Sequence, residues 1–347
     1  MIYLGVTMKI DRIMPALIIL IFLILIGLII FIIKIPNLLW NESLTTSHPH
    51  NLRDYGYHFA MIVHNTEETY WQQVYLGASD IARLENVALE YYSSRFLNLK
   101  ELERFLEMVV LSSVDGLLIS IPDKPEFRNL INEAVAKEIP VIAFSGSLPG
   151  NNRFSEIGIS MYDLGYKSGE ALHKAVRTKV KAAVLINSNY SDISYNNYLK
   201  GFRAAIQDYP NLSLELVVNS KGESISAEGQ TQFILKNHPE IQAIICTDPN
   251  DTLGVAKVVV DLNQVSQITI IGSGLTKEIM NYIKLGVIRG VWANDPYELG
   301  FQGVSTLLRL KKERSQVRHT LPLFLAEAGN VEKIYNNFFV NSARGFK

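Results

Sequence analysis

His58 to Tyr92 reads HFAMIVHNTEETYWQQVYLGASDIARLENVALEYY. An apolar run, His58 to Val63, stops at the polar loop His64 to Thr69. Val74, Ala78, Ile81, Ala82 and Leu84 then recur at three- and four-residue spacings, and a second apolar run fills Val87 to Tyr92. Strand, loop, helix, strand is the opening of a parallel sheet, in which the loops at the carboxyl ends of the strands form a ligand crevice. This loop carries Glu68 and leads into Tyr70 and Trp71. A carboxylate beside two aromatic rings at a strand exit suits a polyhydroxylated ligand, whose C–H faces pack on rings and whose hydroxyls seek charged partners.

Downstream the rhythm repeats. Helical periodicity covers Lys100 to Leu111, Glu126 to Lys137, Asp163 to Val176, Ser194 to Asp208, Glu228 to Lys236 and Leu253 to Leu262. Continuous Val/Ile/Leu runs cover Gly116 to Ile121, Pro140 to Phe144, Ala182 to Ile186, Leu214 to Val218, Ala243 to Cys246 and Ile268 to Ile271. Unbroken apolar strands are those of parallel sheets covered on both faces. Two successive alternating series give an α/β fold of two doubly wound parallel-sheet lobes. After a helix near Lys277 to Leu285, a strand near Ile288 to Trp292 and a helix from Tyr297 to Lys311, the remainder is too weakly patterned for a third domain and is expected to complete both lobes. The expected division is 56–160 plus 295–325 for the first lobe and 161–294 plus 326–347 for the second.

Upstream, residues 13–33 carry no charge and are almost all Ile, Leu or Phe. At about 1.5 Å per residue they reach roughly 30 Å, the thickness of a bilayer core. No A-x-A cleavage site follows and no cysteine is placed to carry a lipid, so the segment reads as an uncleaved transmembrane anchor over 13–35. Lys9 and Arg12 precede it, which puts 1–12 in the cytoplasm and the rest on the extracytoplasmic side of the cell membrane in a single pass. Pro36 to Tyr55, rich in Pro, Asn, Ser, Thr and His, reads as a tether.

The balance of 33 Lys+Arg against 34 Asp+Glu gives no field to gather nucleic acid. One cysteine, Cys246, excludes an intrachain disulfide framework and a cysteine zinc site, and the seven histidines show no H-E-x-x-H or H-x-x-x-H pairing. Gly272-Ser273-Gly274 is neither a nucleophile elbow nor a phosphate loop. The expectation is therefore a binding protein with no catalytic residues, metal or cofactor.

Taken in order, several segments resemble the type I periplasmic sugar-binding proteins of the ribose, xylose and galactose group. They are Tyr70-Trp71 ahead of Gly77-Ala78, VDGLLIS at Val114 to Ser120, IPVIAFS at Ile139 to Ser145, YLKGFRAAI at Tyr198 to Ile206, HPEIQAIICTDPNDTLG at His238 to Gly254, ITIIGSG at Ile268 to Gly274, and GVIRGVWANDPYELG at Gly286 to Gly300. The resemblance implies a monosaccharide held between two lobes and carries the ligand-binding role onto Glu68, Tyr70, Trp71, Ser145, Asn196, Asp248 and Asn294. Ser145-Gly146 stands where the group commonly has Asp-Arg, and Gly272-Ser273-Gly274 where it has Gly-x-Asp. An anchored member of such a group suits a sensor that closes on its sugar and signals to a membrane sensor histidine kinase. The other reading is the substrate-binding component of an ABC sugar importer, whose partner is the permease. Repressors of the lactose type share the core but begin with a basic helix-turn-helix, where this chain has its hydrophobic run.

Overall fold

The computed structural model describes residues 55–64, 69–94, 98–144, 155–187, 191–313 and 318–341. The chain divides into a unit spanning Met1–Asp54 and one spanning Tyr55–Lys347. The expected anchor and tether fall in the first, outside the described residues but for Tyr55. Among the described residues no helix is long and apolar enough to cross a membrane.

The first sheet takes β1 (Tyr57–Val63), β2 (Val87–Ser93), β3 (Gly116–Ser120), β4 (Val141–Phe144), β5 (Ser155–Gly158) and β11 (Arg318–Thr320) in the spatial order β11-β5-β4-β3-β1-β2, all parallel. Side chains alternate across a strand, so β1 feeds two cores. Phe59, Met61 and Val63 pack with α1 (Thr69–Leu84) and α9 (Pro296–Glu313) on one face. Ala60 and Ile62 meet Leu102 and Leu106 of α2 (Leu99–Leu111) and Phe127 and Ile131 of α3 (Pro125–Ala136) on the other. Burial on both faces is why these strands read as unbroken apolar runs.

The second sheet repeats the plan with β6 (Val180–Asn187), β7 (Leu212–Ser220), β8 (Ile241–Cys246), β9 (Thr269–Ser273), β10 (Gly290–Ala293) and β12 (Phe324–Glu327), ordered β12-β10-β9-β8-β6-β7. Only β12 runs antiparallel, beside β10. Ala182, Val184 and Ile186 face α4 (Met161–Ala175) and α5 (Asp192–Gln207). Ala183 and Leu185 face α6 (Ser224–Asn237), α7 (Pro249–Asp261) and α8 (Lys277–Lys284). A last short helix, α10 (Val331–Asn336), packs by Val331 on the same side.

The chain passes between lobes three times: from β5 to α4 at 159–160, from β10 to α9 at 294–295, and from β11 to β12 at 321–323. The last passage comes earlier than the boundary expected at 325, because Phe324 and Leu325 already pair with Ala293 and Trp292. All three leave the carboxyl edge of one sheet and enter at the carboxyl edge of the other, so both carboxyl edges turn toward the hinge. The two neighbouring helices on one face of each sheet are interlocked through glycine. A Cβ on Gly77 or Gly300 would collide with the carbonyl oxygen of Tyr297 or Val74, locking α1 to α9, and one on Gly165 or Gly201 would strike that of Tyr198 or Tyr162, locking α4 to α5. Backbone approach this close admits no side chain, so each pair moves with its own lobe.

Candidate ligand-binding cleft

In each sheet the strand order reverses beside the first strand, between β1 and β3 and between β6 and β8. Loops leave these switch points in opposite directions, and the crevice between them is where open α/β sheets take ligands. His64 follows β1 and Ser120 ends β3. The imidazole Nδ1 lies 3.1 Å from the Ser120 carbonyl oxygen and 3.4 Å from its Oγ. Asn187 ends β6, and Asp248 follows β8 after Thr247. The Asn187 side-chain amide donates a short bond to Asp248 Oδ2, and its backbone N–H donates to Thr247 Oγ1 at 3.2 Å.

Asp248 also caps α7. Its Oδ1 accepts the Asp251 N–H at 2.9 Å, and its backbone carbonyl accepts the Thr252 hydroxyl at 2.7 Å. Side-chain oxygens at this position satisfy one of the free N–H groups of a helix's first turn. Burial pushes the Asp248 carboxyl above the usual carboxylate range, against the pull of the Asp251 N–H, the Asn187 amide, the Asn250 N–H and the His64 imidazole. The last of these belongs to the opposite lobe. Behind Asp248 sits Asp251, with no exposed surface and with the Ser220 hydroxyl as its one polar neighbour short of full hydrogen-bond geometry. Burial first, then the neighbouring Asp248 charge, push it up to about 8, while the Ser220 hydroxyl draws it the other way. At neutral pH Asp251 therefore keeps its proton, which spares the pair a second buried charge.

The expected site residues meet differing fates. Tyr70 and Asn294, which stand far apart in the chain, come together: the Asn294 amide donates to Tyr70 Oη at 3.0 Å, and the Tyr70 hydroxyl lies 3.3 Å from Asn294 Oδ1. Asn294 is the first residue of the second hinge passage, so this contact ties the hinge to the start of α1. Trp71 is 6 % exposed and packs in the core against Phe144 (6.1 Å between rings), with Tyr70 and His64 edge-on at 5.3 and 5.5 Å. Asn196 stands exposed on α5, whose buried face carries Ser194, Tyr198, Leu199 and Phe202. Glu68 and Ser145 lie outside the described residues.

His64, Asn187 and Asp251 were missed as site residues. The rule that selects Asp248, a polar side chain at a strand's carboxyl end, selects His64 and Asn187 equally. Among the described residues no group of three or more His, Cys, Asp or Glu side chains is arranged to hold a metal ion.

Residues 59–315 match the family model described as the periplasmic binding protein domain. The chain belongs to that family. A curated relative is the ABC transporter periplasmic-binding protein YphF of Escherichia coli (strain K12), 22% identical over 224 residues that make up 60% of this chain and 66% of that protein. Among solved structures, GanP, a glucose-galactose binding protein from Geobacillus stearothermophilus, superposes with a TM-score of 0.74 at 26% identity, over 79% of this chain and 98% of its own. AraP, an arabinose binding protein from the same organism, gives 0.70 at 23% identity over 80% and 99%. A structure of the XylFII–LytSN complex gives 0.69 at 21% identity over 79% and 98%. Periplasmic binding proteins of this kind bind their ligands without transforming them, and this periplasmic binding protein is a binding component rather than an enzyme.

Proposed function

We propose that this chain is a membrane-anchored, extracytoplasmic receptor for a monosaccharide, a pentose such as xylose or ribose or a similar sugar, which closes on its ligand and signals to a sensor histidine kinase. The observation that carries the binding reading is the pair of switch points, His64 with Ser120 and Asn187 with Asp248, held on separate lobes joined by three hinge passages. A ligand that contacts both lobes stabilises only the closed form, and it shifts the equilibrium by its differential affinity for the two states. The sugar reading is supported by GanP, which is named for glucose and galactose. The sensor reading is supported by the apolar run 13–33 and by the XylFII–LytSN complex, in which a protein of this fold is named together with a second protein.

Supply of an ABC importer is the second reading, favoured by the name of YphF and by the sugar ABC transporter binding protein from Bacillus halodurans. The first test is a thermal-shift screen of the full chain in mild detergent against pentoses, hexoses and their phosphates. A ligand at 100 times its dissociation constant stabilises by about 2.7 kcal/mol. No shift with any neutral sugar would refute the binding reading. Reconstitution of the liganded chain with the kinase or permease encoded beside it then separates the two partners: a changed phosphorylation rate supports sensing, stimulated ATP hydrolysis supports uptake.

A further inference from the structure

Three strand ends of the second lobe lock together through polar side chains behind Asp248. Asn187, at the end of β6, gives its side-chain amide to Asp248 Oδ2, and the Asp251 N–H donates to Asp248 Oδ1 at 2.9 Å. Gly222 backs the Asn187 amide, at a φ of +71° and so close that a Cβ there would strike it. Gly222 is fixed in turn: its carbonyl accepts the Asn250 side-chain amide at 3.0 Å, and its N–H donates to Ser220 Oγ at 3.2 Å. Ser220, buried at the end of β7, is the neighbour of the Asp251 carboxyl.

Counting hydrogens in this cluster favours a neutral Asp251. The Ile186 carbonyl only accepts, so its 3.4 Å contact takes the Ser220 hydrogen, and the Gly222 N–H fills one of the hydroxyl's two lone pairs. What Ser220 still offers Asp251 is a lone pair, and only the protonated acid has a hydrogen to give it. An ionised Asp251 would instead draw the Ser220 hydrogen from Ile186, loosening the turn that backs Asn187. It would also place a second charge behind Asp248 where burial removes the screening of water. The titratable groups around Asp251 are the Asp248 carboxyl, the Cys246 thiol, which burial pushes well up, and, through Asp248, the His64 imidazole of the opposite lobe.

We propose that Asp251 is a positioning residue of the second lobe: held as a neutral acid behind Asp248, it keeps the Asn187–Asp248 face set for the ligand, and loss of its proton unsettles that face and lowers affinity. Asp251 touches no ligand and acts through its two neighbours. This rests on the receptor reading above and adds to it a group that makes binding depend on pH.

The test is titration calorimetry of the full chain in mild detergent at pH 6, 7, 8 and 9 with D-xylose, D-ribose, L-arabinose, D-glucose and D-galactose. Burial and the Asp248 charge push Asp251 up to about 8, so about a tenth of the chains keep its proton at pH 9 and affinity should fall about tenfold between pH 7 and 9. The buffer dependence of the binding heat should show close to one proton taken up per sugar at pH 9 and none at pH 6. Asp251→Asn, of the same shape and permanently neutral, should bind equally well at pH 7 and pH 9 and take up no proton. His64→Gln and Cys246→Ala should keep the tenfold fall, whatever their affinity at pH 7. If Asp251→Asn does not fold, the proton uptake of the unmodified chain decides by itself. A flat profile without proton uptake in the unmodified chain, or the same fall in Asp251→Asn, overturns the role of Asp251 and leaves the receptor reading in place. No binding of any of the sugars at any of these pH values overturns both.

Discussion

Replacement of Asp251 by Asn should remove a pH-dependent instability from the second lobe. Asp251 has no exposed surface, and neither of its carboxylate oxygens finds a hydrogen bond of good geometry, the Ser220 hydroxyl being its nearest help. Burial and the adjacent Asp248 push it up to about 8. An acid whose folded-state value is raised holds its proton where the unfolded chain has already lost it. Stability is therefore unaffected below about pH 4, where both states are protonated, and falls between about pH 4 and 8. The slope is about 1.4 kcal/mol per pH unit, and it belongs to the Asp248–Asp251 pair rather than to either carboxyl alone. From pH 5 to 8 this sums to about 4 kcal/mol, and at about 2 °C per kcal/mol for a unit of this size the melting temperature moves by about 8 °C. Asn has the same shape and no proton to lose. Calorimetric melting of both proteins at half-unit pH intervals should show the two curves diverging toward alkaline pH, the variant ending higher. Parallel curves from pH 5 to 8 would mean that Asp251 is ionised and stabilised by a partner, and the reasoning would fail.

Three further outcomes follow from the packing and the hinge. Gly300→Ala forces a methyl group onto the Val74 carbonyl oxygen, where backbone rather than a mobile side chain must yield, and should destabilise by about 1–3 kcal/mol or more in urea unfolding. Tyr70→Phe deletes the hydroxyl that meets Asn294, and should weaken ligand binding by about 1 kcal/mol, less than tenfold, with little change in the melting temperature of the unliganded protein. Trp71→Ala empties a buried site against Phe144 and should cost about 3–5 kcal/mol of stability by chemical denaturation. A loss of sugar affinity with unchanged stability would show instead that the indole is a ligand platform.

Much of the architecture was legible because both faces of each sheet are covered, and β1, β3, β6, β8 and β9 announce themselves as apolar runs. The short strands were not. All three residues of β11 are exposed, so Arg318 to Thr320 carries no hydrophobic signal, and β5 reads SEIG. These segments form strands because a neighbour offers hydrogen bonds, an effect of tertiary context. The site was legible in part, and the helical period explains the division. Trp71, Val74, Ala78 and Ile81 share the buried stripe of α1, which assigns the indole to the core, while Tyr70 lies off that stripe and reaches Asn294. Asn196 lies off the buried stripe of α5 and faces solvent. The pairing of His64 with Ser120 was hidden because nothing in its local sequence reveals that β3 ends alongside it, 56 residues later.

The glycine interlocks of α1 with α9 and of α4 with α5 make each half a stiff plate, leaving the angle between the plates as the coordinate that a bound molecule moves. Dye pairs attached to the outer surfaces of one plate should hold a fixed spacing whatever is bound, whereas a pair split between plates should report occupancy. For a partner of the kind proposed above, the same stiffness would leave one number to read, an angle set at the passages 159–160, 294–295 and 321–323.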